Sequence, residues 1–314
     1  MAFSTKILIT GGAGFIGSSL AETLIQNPEY YVVIVDNLLT GSLDRLPNKA
    51  LRNWKFIKCD VNKYSDIAPI MQSNNFDYVF HYAAVVGVQR TLNQPVMVLD
   101  DIQGIKNILD LSRYTGVRRV LYASSSEVYG ESIEYPQHEL TTPLNSRLPY
   151  AVVKNVGEAY LKSYKKEFDL DYTIFRFFNT FGAKQSEDFV ISKFMHAAMR
   201  NEEITIYGDG LQTRTFCFIQ DNVDACINAM EKDLFVNDVV NIGSDVELTI
   251  NEIATEILTC IDSKSILAHL PALEEGDMRR RLPHIDNMQM LLNRELTPFA
   301  DGLKKVHEVY LSKI

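Results

Sequence analysis

Short runs of β-branched and apolar residues alternate with stretches of helical periodicity through the first half of the chain. That alternation predicts a parallel sheet with helices packed on both faces. Lys6–Thr10 is the first strand, in which Ile7, Leu8 and Ile9 run into a glycine cluster. An apolar-periodic segment, Ser18–Asn27, follows and is closed by Pro28, and Tyr30–Val35 is the next strand, ending at Asp36. Further strands are predicted at Trp54–Cys59, ending at Asp60, at Tyr78–Phe80, leading to His81 and the small turn Ala83-Ala84, at Arg119–Ala123, opening into Ser124-Ser125-Ser126-Glu127, and at Asp171–Phe177. Helical spacing marks Ser65–Gln72, Val96–Arg113 and Tyr150–Phe168. Beyond Asn179 the pattern loosens. Phe189–Arg200, Thr249–Cys260 and Asp301–Ile314 read as helices and Thr205–Gly210 as a short strand, while Phe216–Ile219 and Val239–Ile242 read as strands that rejoin the main sheet.

The glycines between the first strand and the first helix change this picture from a fold into a site. Gly11, Gly14 and Gly17 recur every three residues, and Asp36 stands nineteen residues past the last of them. Glycines let backbone N–H groups approach a pyrophosphate, the helix N-terminus favours its charge, and a carboxylate at the end of the second strand takes ribose hydroxyls. The cofactor contacts therefore fall on Gly11, Gly14, Phe15, Ile16, Gly17, Asp36 and Asn37. Asp36 repels a 2′-phosphate and no arginine follows it directly, so NAD is expected rather than NADP. Asp60 and Val61 end the third strand, where they suit the adenine edge, although an aspartate there also suits a helix cap. His81-Tyr82-Ala83-Ala84 lets small side chains pass beneath the cofactor, which adds Tyr82, Ala83 and Ala84 to its contacts. The expected architecture is an α/β, doubly wound parallel sheet of Rossmann type with a smaller mixed α/β substrate domain. Residues 1–178 form the dinucleotide-binding domain, to which the chain returns near 215–245, and 179–314 are mostly substrate domain.

Composition narrows the partners. The 314 residues carry a formal net charge of −9, which argues against nucleic acid, since phosphate backbones need basic surface. Cys59, Cys217, Cys226 and Cys260 lie far apart in no ligand pattern, so they read as reduced thiols and no metal is expected. Met1–Lys6 runs straight into the first strand without signal-peptide character, and no apolar run approaches membrane-spanning length. A cytoplasmic protein without a membrane partner is expected.

A second group of residues carries chemistry. Tyr150 and Lys154 lie four apart on one predicted helix and share a face. An ammonium beside a phenol favours the phenolate, which makes the tyrosine a usable base near neutral pH. Tyr-x-x-x-Lys alone is a common spacing, but here it follows a dinucleotide-binding turn and a run of serines at a strand end. Later, Arg214 follows a Gly-Asp-Gly turn, and Arg279, Arg280 and Arg281 cluster after Glu274-Glu275-Gly276-Asp277. Such arginines suit a diphosphate or a salt-bridged surface equally.

The stretches TGGAGFIG, HYAA, SSSEVYG, YAVVK, RFFNTFG and GDGLQTRTF, in this order, resemble the extended short-chain dehydrogenases/reductases that modify nucleotide sugars, the NAD-dependent epimerase/dehydratase group. The resemblance runs from Lys6 to about Pro283. It implies that Tyr150, held as phenolate by Lys154, takes the proton of a sugar 4-hydroxyl while Ser125 hydrogen-bonds the same oxygen and C4 passes a hydride to NAD. Lys154 and Tyr150 then also count among the cofactor contacts. Ser125 is singled out because it stands three residues before Val128-Tyr129-Gly130. Asn179 and Arg214 match positions that contact the nucleotide diphosphate, and Arg281 matches a phosphate clamp, with Arg280 as the alternative register. Glu127 matches a glutamate of dehydratases and uronate decarboxylases, whereas HYAAVVGVQ looks epimerase-like. The expected activity is a nucleotide-sugar 4-epimerase. UDP-uronate decarboxylase, 4,6-dehydratase and net 4-dehydrogenase are the alternatives on the same scaffold, and a non-catalytic NAD(H) sensor is the alternative of another class. Two departures stand out: Val153 precedes the lysine where a small hydroxyl residue is usual, and Asp101 stands where asparagine is common. Apolar residues on more than one face of the Tyr150 helix suit a homodimer.

Overall fold

The computed structural model describes residues 3–271 and 280–312. Six strands pair in parallel: β1 (Thr5–Thr10), β2 (Tyr30–Asp36), β3 (Trp54–Lys58), β4 (Tyr78–His81), β5 (Arg119–Ser125) and β6 (Asp171–Phe177). Between them run α1 (Phe15–Leu24), α2 (Tyr64–Asn74), α3 (Val88–Asn93), α4 (Pro95–Leu99), α5 (Asp101–Thr115) and α6 (Pro149–Phe168). Later in the chain come β7 (Thr180–Phe181), α7 (Val190–Met199), β8 (Ile204–Tyr207), β9 (Thr213–Thr215), β10 (Cys217–Phe218), α8 (Ile219–Glu231), β11 (Asp238–Ile242), β12 (Glu247–Thr249), α9 (Ile250–Ile261), β13 (Leu267–Leu270), α10 (Asp286–Leu292) and α11 (Phe299–Leu311).

β11 completes a seven-stranded sheet of order β11-β6-β5-β4-β1-β2-β3. Strand order reverses between β1 and β4, so the crevice outside their carboxyl ends is the ligand position of a doubly wound sheet. Covering both faces explains why the strands are continuous apolar runs: Ile7, Leu8, Ile9 and Val32 to Val35 are all fully buried. Helices end on left-handed residues where the sequence supplies them, Gly116 after α5 and Asn75 after α2.

The chain divides into two compact units. The first gathers residues 1–130, 143–177 and 223–240; the second gathers 131–142, 178–222 and 241–314. The second unit contains three two-stranded pairings: β7 with β10 and β8 with β13 in parallel, β9 with β12 antiparallel. Its helix α9 opens with a capping box in which Thr249 and Glu252 satisfy each other's backbone N–H.

Two expectations are corrected. Phe216–Ile219 does not rejoin the main sheet; its strand, Cys217–Phe218, pairs with Thr180–Phe181, while Val239–Ile242 does join. An apolar run marks a buried strand without naming its neighbour. The periodicity of Val96–Arg113 is also divided, between α4 and α5. Pro95 pushes Gln94 out of the helical region, to φ −131° and ψ 59°. That break lies before the predicted segment; within it Asp100, between α4 and α5, keeps helical angles of −61° and −23°, so the division is slight.

Candidate active site

The glycine turn is held by sterics. Gly11 has φ +67°, and a Cβ there would stand 2.7 Å from the Cα and N of Ala83. The Thr10 hydroxyl accepts from the N–H groups of Tyr82 (3.1 Å) and Ala83 (3.2 Å), which fixes the end of β4 beneath the turn. A Cβ on Gly17 would meet the Gly11 carbonyl oxygen at 2.5 Å, so helix and strand can pack this closely only with glycine there. Gly14 is the N-cap of α1, and no side chain caps that end. The N–H groups of Phe15, Ile16 and Gly17 thus occupy the first turn, where intrahelical acceptors are lacking and an anion is favoured.

Asp36 is buried at the end of β2. Its Oδ2 accepts from Ala13 N–H (3.0 Å) and its Oδ1 from Leu38 N–H (2.8 Å), which pins the carboxylate beside the glycine turn. Each oxygen keeps a second lone pair, enough for two ribose hydroxyls. Asn37 next to it is exposed and closes a local turn by accepting from Leu39 N–H. Asp60 is not a helix cap, because α2 starts at Tyr64 with Lys63 as N-cap. Its carboxylate instead accepts from Asn62 N–H at 3.1 Å. Val61 is buried, and its carbonyl accepts from Asn107 Nδ2 at 2.8 Å. This arrangement fits a dinucleotide: a glycine cradle that a Cβ would fill, an uncapped helix end and a carboxylate held for sugar hydroxyls.

β5 and α6 carry the second cluster. Ser124, Ser125 and Ser126 are all buried but differ in their commitments. Ser124 Oγ donates to Glu158 Oε1 at 2.6 Å, whereas Ser125 Oγ accepts from Glu127 N–H at 3.2 Å as cap of the short turn Ser126–Tyr129. Ser125 thus differs from Ser124, whose hydroxyl proton is directed to a buried carboxylate. Glu127 sits in that turn, half-buried. Lys154 is buried, donates from Nζ to the Ala123 carbonyl at 2.6 Å, and lies 5.6 Å from the Tyr150 ring centre. Burial lowers its pKa to about 8, and the Asp101 carboxylate counteracts that shift. Asp101 is itself buried. Its own pKa is raised by burial, against the hydrogen bonds it accepts from Val85 N–H (2.6 Å) and Asn62 Nδ2 (3.2 Å). The role of Asp101 thus runs through the lysine. His81 is not an acid–base candidate, since burial holds its pKa near 3 and its Nδ1 pairs with Thr10 Oγ1 at 2.8 Å.

The remaining predicted residues belong to the second unit. Asn179 donates from Nδ2 to the Thr215 carbonyl at 3.3 Å, and its own carbonyl accepts from Cys217 N–H. Arg214 lies on β9 opposite Leu248. Arg280 forks onto Glu247 at 2.8 and 2.6 Å and stacks 4.9 Å above Tyr135. Arg279 and the acidic run Glu274-Glu275-Gly276-Asp277 lie outside the described residues.

Sequence reasoning missed the partner of the serines. Glu158, four residues beyond Lys154 and hence on the same face of α6, joins Ser124 to Arg176, whose Nε and Nη2 reach it at 2.9 and 2.7 Å. Arg176 Nη1 continues to the Tyr129 hydroxyl at 2.9 Å. The i, i+4 spacing of Lys154 and Glu158 was the available signal.

Residues 7–243 match the model of the NAD dependent epimerase/dehydratase family. The chain belongs to that family. It is accordingly an NAD-dependent enzyme. It is 36% identical over 252 residues to a Methanocaldococcus jannaschii protein named "Putative UDP-glucose 4-epimerase", covering 79% of each chain. It is also 32% identical to UDP-glucuronic acid decarboxylase 1 of Danio rerio, over 97% of this chain and 72% of that one. Among solved structures, UDP-glucose 4-epimerase of Thermotoga maritima with UDP-glucose superposes with a TM-score of 0.92 at 30% identity, covering 98% of this chain and 99% of the other. None of the helices among the described residues is long and apolar enough to cross a membrane.

Proposed function

We propose that the protein is a nucleotide-sugar 4-epimerase acting through transient oxidation at C4. The observation that carries this reading is the buried Lys154 ammonium beside the Tyr150 ring, on a helix that follows the Ser125 strand end. When bound at the glycine turn, with Asp36 on its ribose, NAD supplies a hydride acceptor and then a donor at C4. Tyr150, held as phenolate by the Lys154 charge, takes the proton of the 4-hydroxyl as the C4–H bond breaks, and returns it when hydride reaches the other face. Ser125 donates a hydrogen bond to the same oxygen. Asn179, Arg214 and Arg281 hold the diphosphate, with the arginines supplying charge. In this reading the first unit holds the cofactor and the second the nucleotide sugar.

Glu127 favours a second reading. A carboxylate two residues after Ser125 suits the extra proton transfers of a dehydratase or of a uronate decarboxylase, and the Danio rerio relative is a decarboxylase. Mass spectrometry of UDP-, GDP-, CDP- and dTDP-sugars, uronic acids included, after incubation with the NAD-loaded protein decides the matter. Unchanged mass with altered NMR couplings is expected. Loss of CO₂ or water would assign the decarboxylase or dehydratase, and loss of two hydrogens a net 4-dehydrogenase. Binding of NAD without turnover of any sugar, together with full biological activity of Tyr150→Phe, would assign the sensor.

A homodimer is part of the proposal. Val96, Leu99, Tyr114 and Phe168 leave apolar surface exposed on α4, α5 and α6, and a symmetric contact would cover it. Light scattering at micromolar concentration is expected to give twice the chain mass; a monomer would refute it.

A further inference from the structure

One group of metal-ligating side chains lies apart from every residue discussed above. His138, Glu139 and His284, all in the second unit, bring their ligand atoms within 4.8 Å of one another. The two Nδ1 atoms each stand 4.0 Å from Glu139 Oε2, and the imidazole rings are 4.6 Å apart, tilted by 41°. The Glu139 side chain is 1% exposed, and its Oε1 accepts from Asn241 N–H (3.0 Å) and Asn287 Nδ2 (3.2 Å). Those donors orient the carboxylate so that Oε2 faces the histidines.

The partners of the rings set their tautomers. His138 Nδ1 accepts from Leu140 N–H at 3.2 Å, so its lone pair is on Nδ1. His284 Nε2 lies 3.3 Å from the Asp286 carboxylate, which places the proton on Nε2, and its buried Nδ1 has no hydrogen-bond partner. The His284 Nδ1 and the Glu139 Oε2 therefore face one another, with His138 Nδ1 equally near the carboxylate. A divalent cation between these groups would take one ligand atom from each, at the cost of the long Leu140 hydrogen bond.

We propose that His138, Glu139 and His284 bind a divalent transition-metal ion of the zinc class, with water in the fourth position. Two imidazoles and one carboxylate suit zinc better than magnesium or calcium, which take oxygen donors. Donors around tetrahedral zinc stand roughly 3.4 Å apart, given bonds of about 2.0–2.2 Å. Small rotations of the partly exposed rings close the difference from 4.0 Å. Asp286 and the two donors on Oε1 already form the outer shell that such ligands need. The backbones beside the site are joined, since Gln137 N–H donates to the Leu282 carbonyl at 2.7 Å and His284 N–H to the Gln137 carbonyl at 2.8 Å. The ion would thus staple residues 137–139 to 282–284, immediately after Arg281. This proposal goes beyond the sugar chemistry and does not rest on it. It also departs from the sequence reading, which expected no metal.

The test uses full-length, tag-free protein treated with chelator and titrated with Co²⁺ and then Zn²⁺. One equivalent of Co²⁺ per chain is expected, with visible d–d absorption that Zn²⁺ abolishes and a raised melting temperature. His138→Ala and His284→Ala should each weaken binding at least about tenfold, while melting in chelator like the wild type. His284→Cys should restore binding and add a thiolate-to-cobalt band in the near ultraviolet, which keeps the test open if an alanine variant folds poorly. Absence of saturable Co²⁺ absorption in the wild type would overturn the proposal, as would undiminished binding in both alanine variants. A melting temperature that responds to pH through these histidines but to no metal would mean an imidazolium–carboxylate pair only.

Discussion

Helix α6 carries two buried charged sites one turn apart, and they are built in opposite ways. Lys154 meets a backbone carbonyl and a tyrosine ring, with its nearest charge support from Asp101 acting at a distance, and burial pulls its pKa down to about 8. Glu158 meets Arg176 in a two-point ion pair, and although burial opposes the charge on the guanidinium, that pair raises its pKa. The two-point pair holds two elements of the first unit together. The lysine is instead left near its own titration point, where the Asp101 carboxylate bears on how much of its charge survives burial. One helix face thus separates structural from chemical use of burial, and the difference lies in whether the partner charge is in contact.

Variants can break this contrast at either end. Tyr150→Phe should have the largest effect, a fall in kcat of about 10²- to 10⁴-fold with the melting temperature unchanged, read by steady-state assay and calorimetry. Glu158→Ala should do the reverse and cost about 3–5 kcal/mol of stability by stranding Arg176, measured by urea denaturation. The double replacement Glu158→Leu with Arg176→Met should recover most of it; continued loss would show that the pair does more than satisfy its own burial. Next come the serines. Ser125→Ala is expected to lower kcat about tenfold or more, whereas Ser124→Ala should lower stability by about 1–2 kcal/mol and leave chemistry nearly intact. An equal kcat loss in both would contradict the assignment.

The smallest effect is expected from Asp101→Asn. Lys154 loses its proton as pH rises through about 8, so activity should fall on the alkaline side. Asp101 raises that pKa, so removing its charge moves the alkaline limb to lower pH and reduces activity at pH 7 by about two- to fivefold. An unmoved pH profile would sever the link between the two residues.

The glycine turn and Asp36 were readable because the whole constellation lies within some thirty consecutive residues and its reasons are local: sterics at Gly11 and Gly17, a helix end, one carboxylate. The serine choice was less so. Resemblance alone singled out Ser125, and what distinguishes it from Ser124, the Glu158 contact, depends on a residue 34 positions away. Farther still, His138 and His284 are separated by well over a hundred residues, and no periodicity connects them. The misplaced Phe216–Ile219 strand belongs with these, since pairing partners are long-range information.

The first unit is assembled from three stretches of chain, the last being residues 223–240. On a ribosome, β6 is complete long before its neighbour β11 exists, because about 60 residues separate them. At roughly 5–20 residues per second, that strand waits on the order of 3–12 s as an unpaired apolar edge, the state in which a nascent sheet is most open to pairing with another chain.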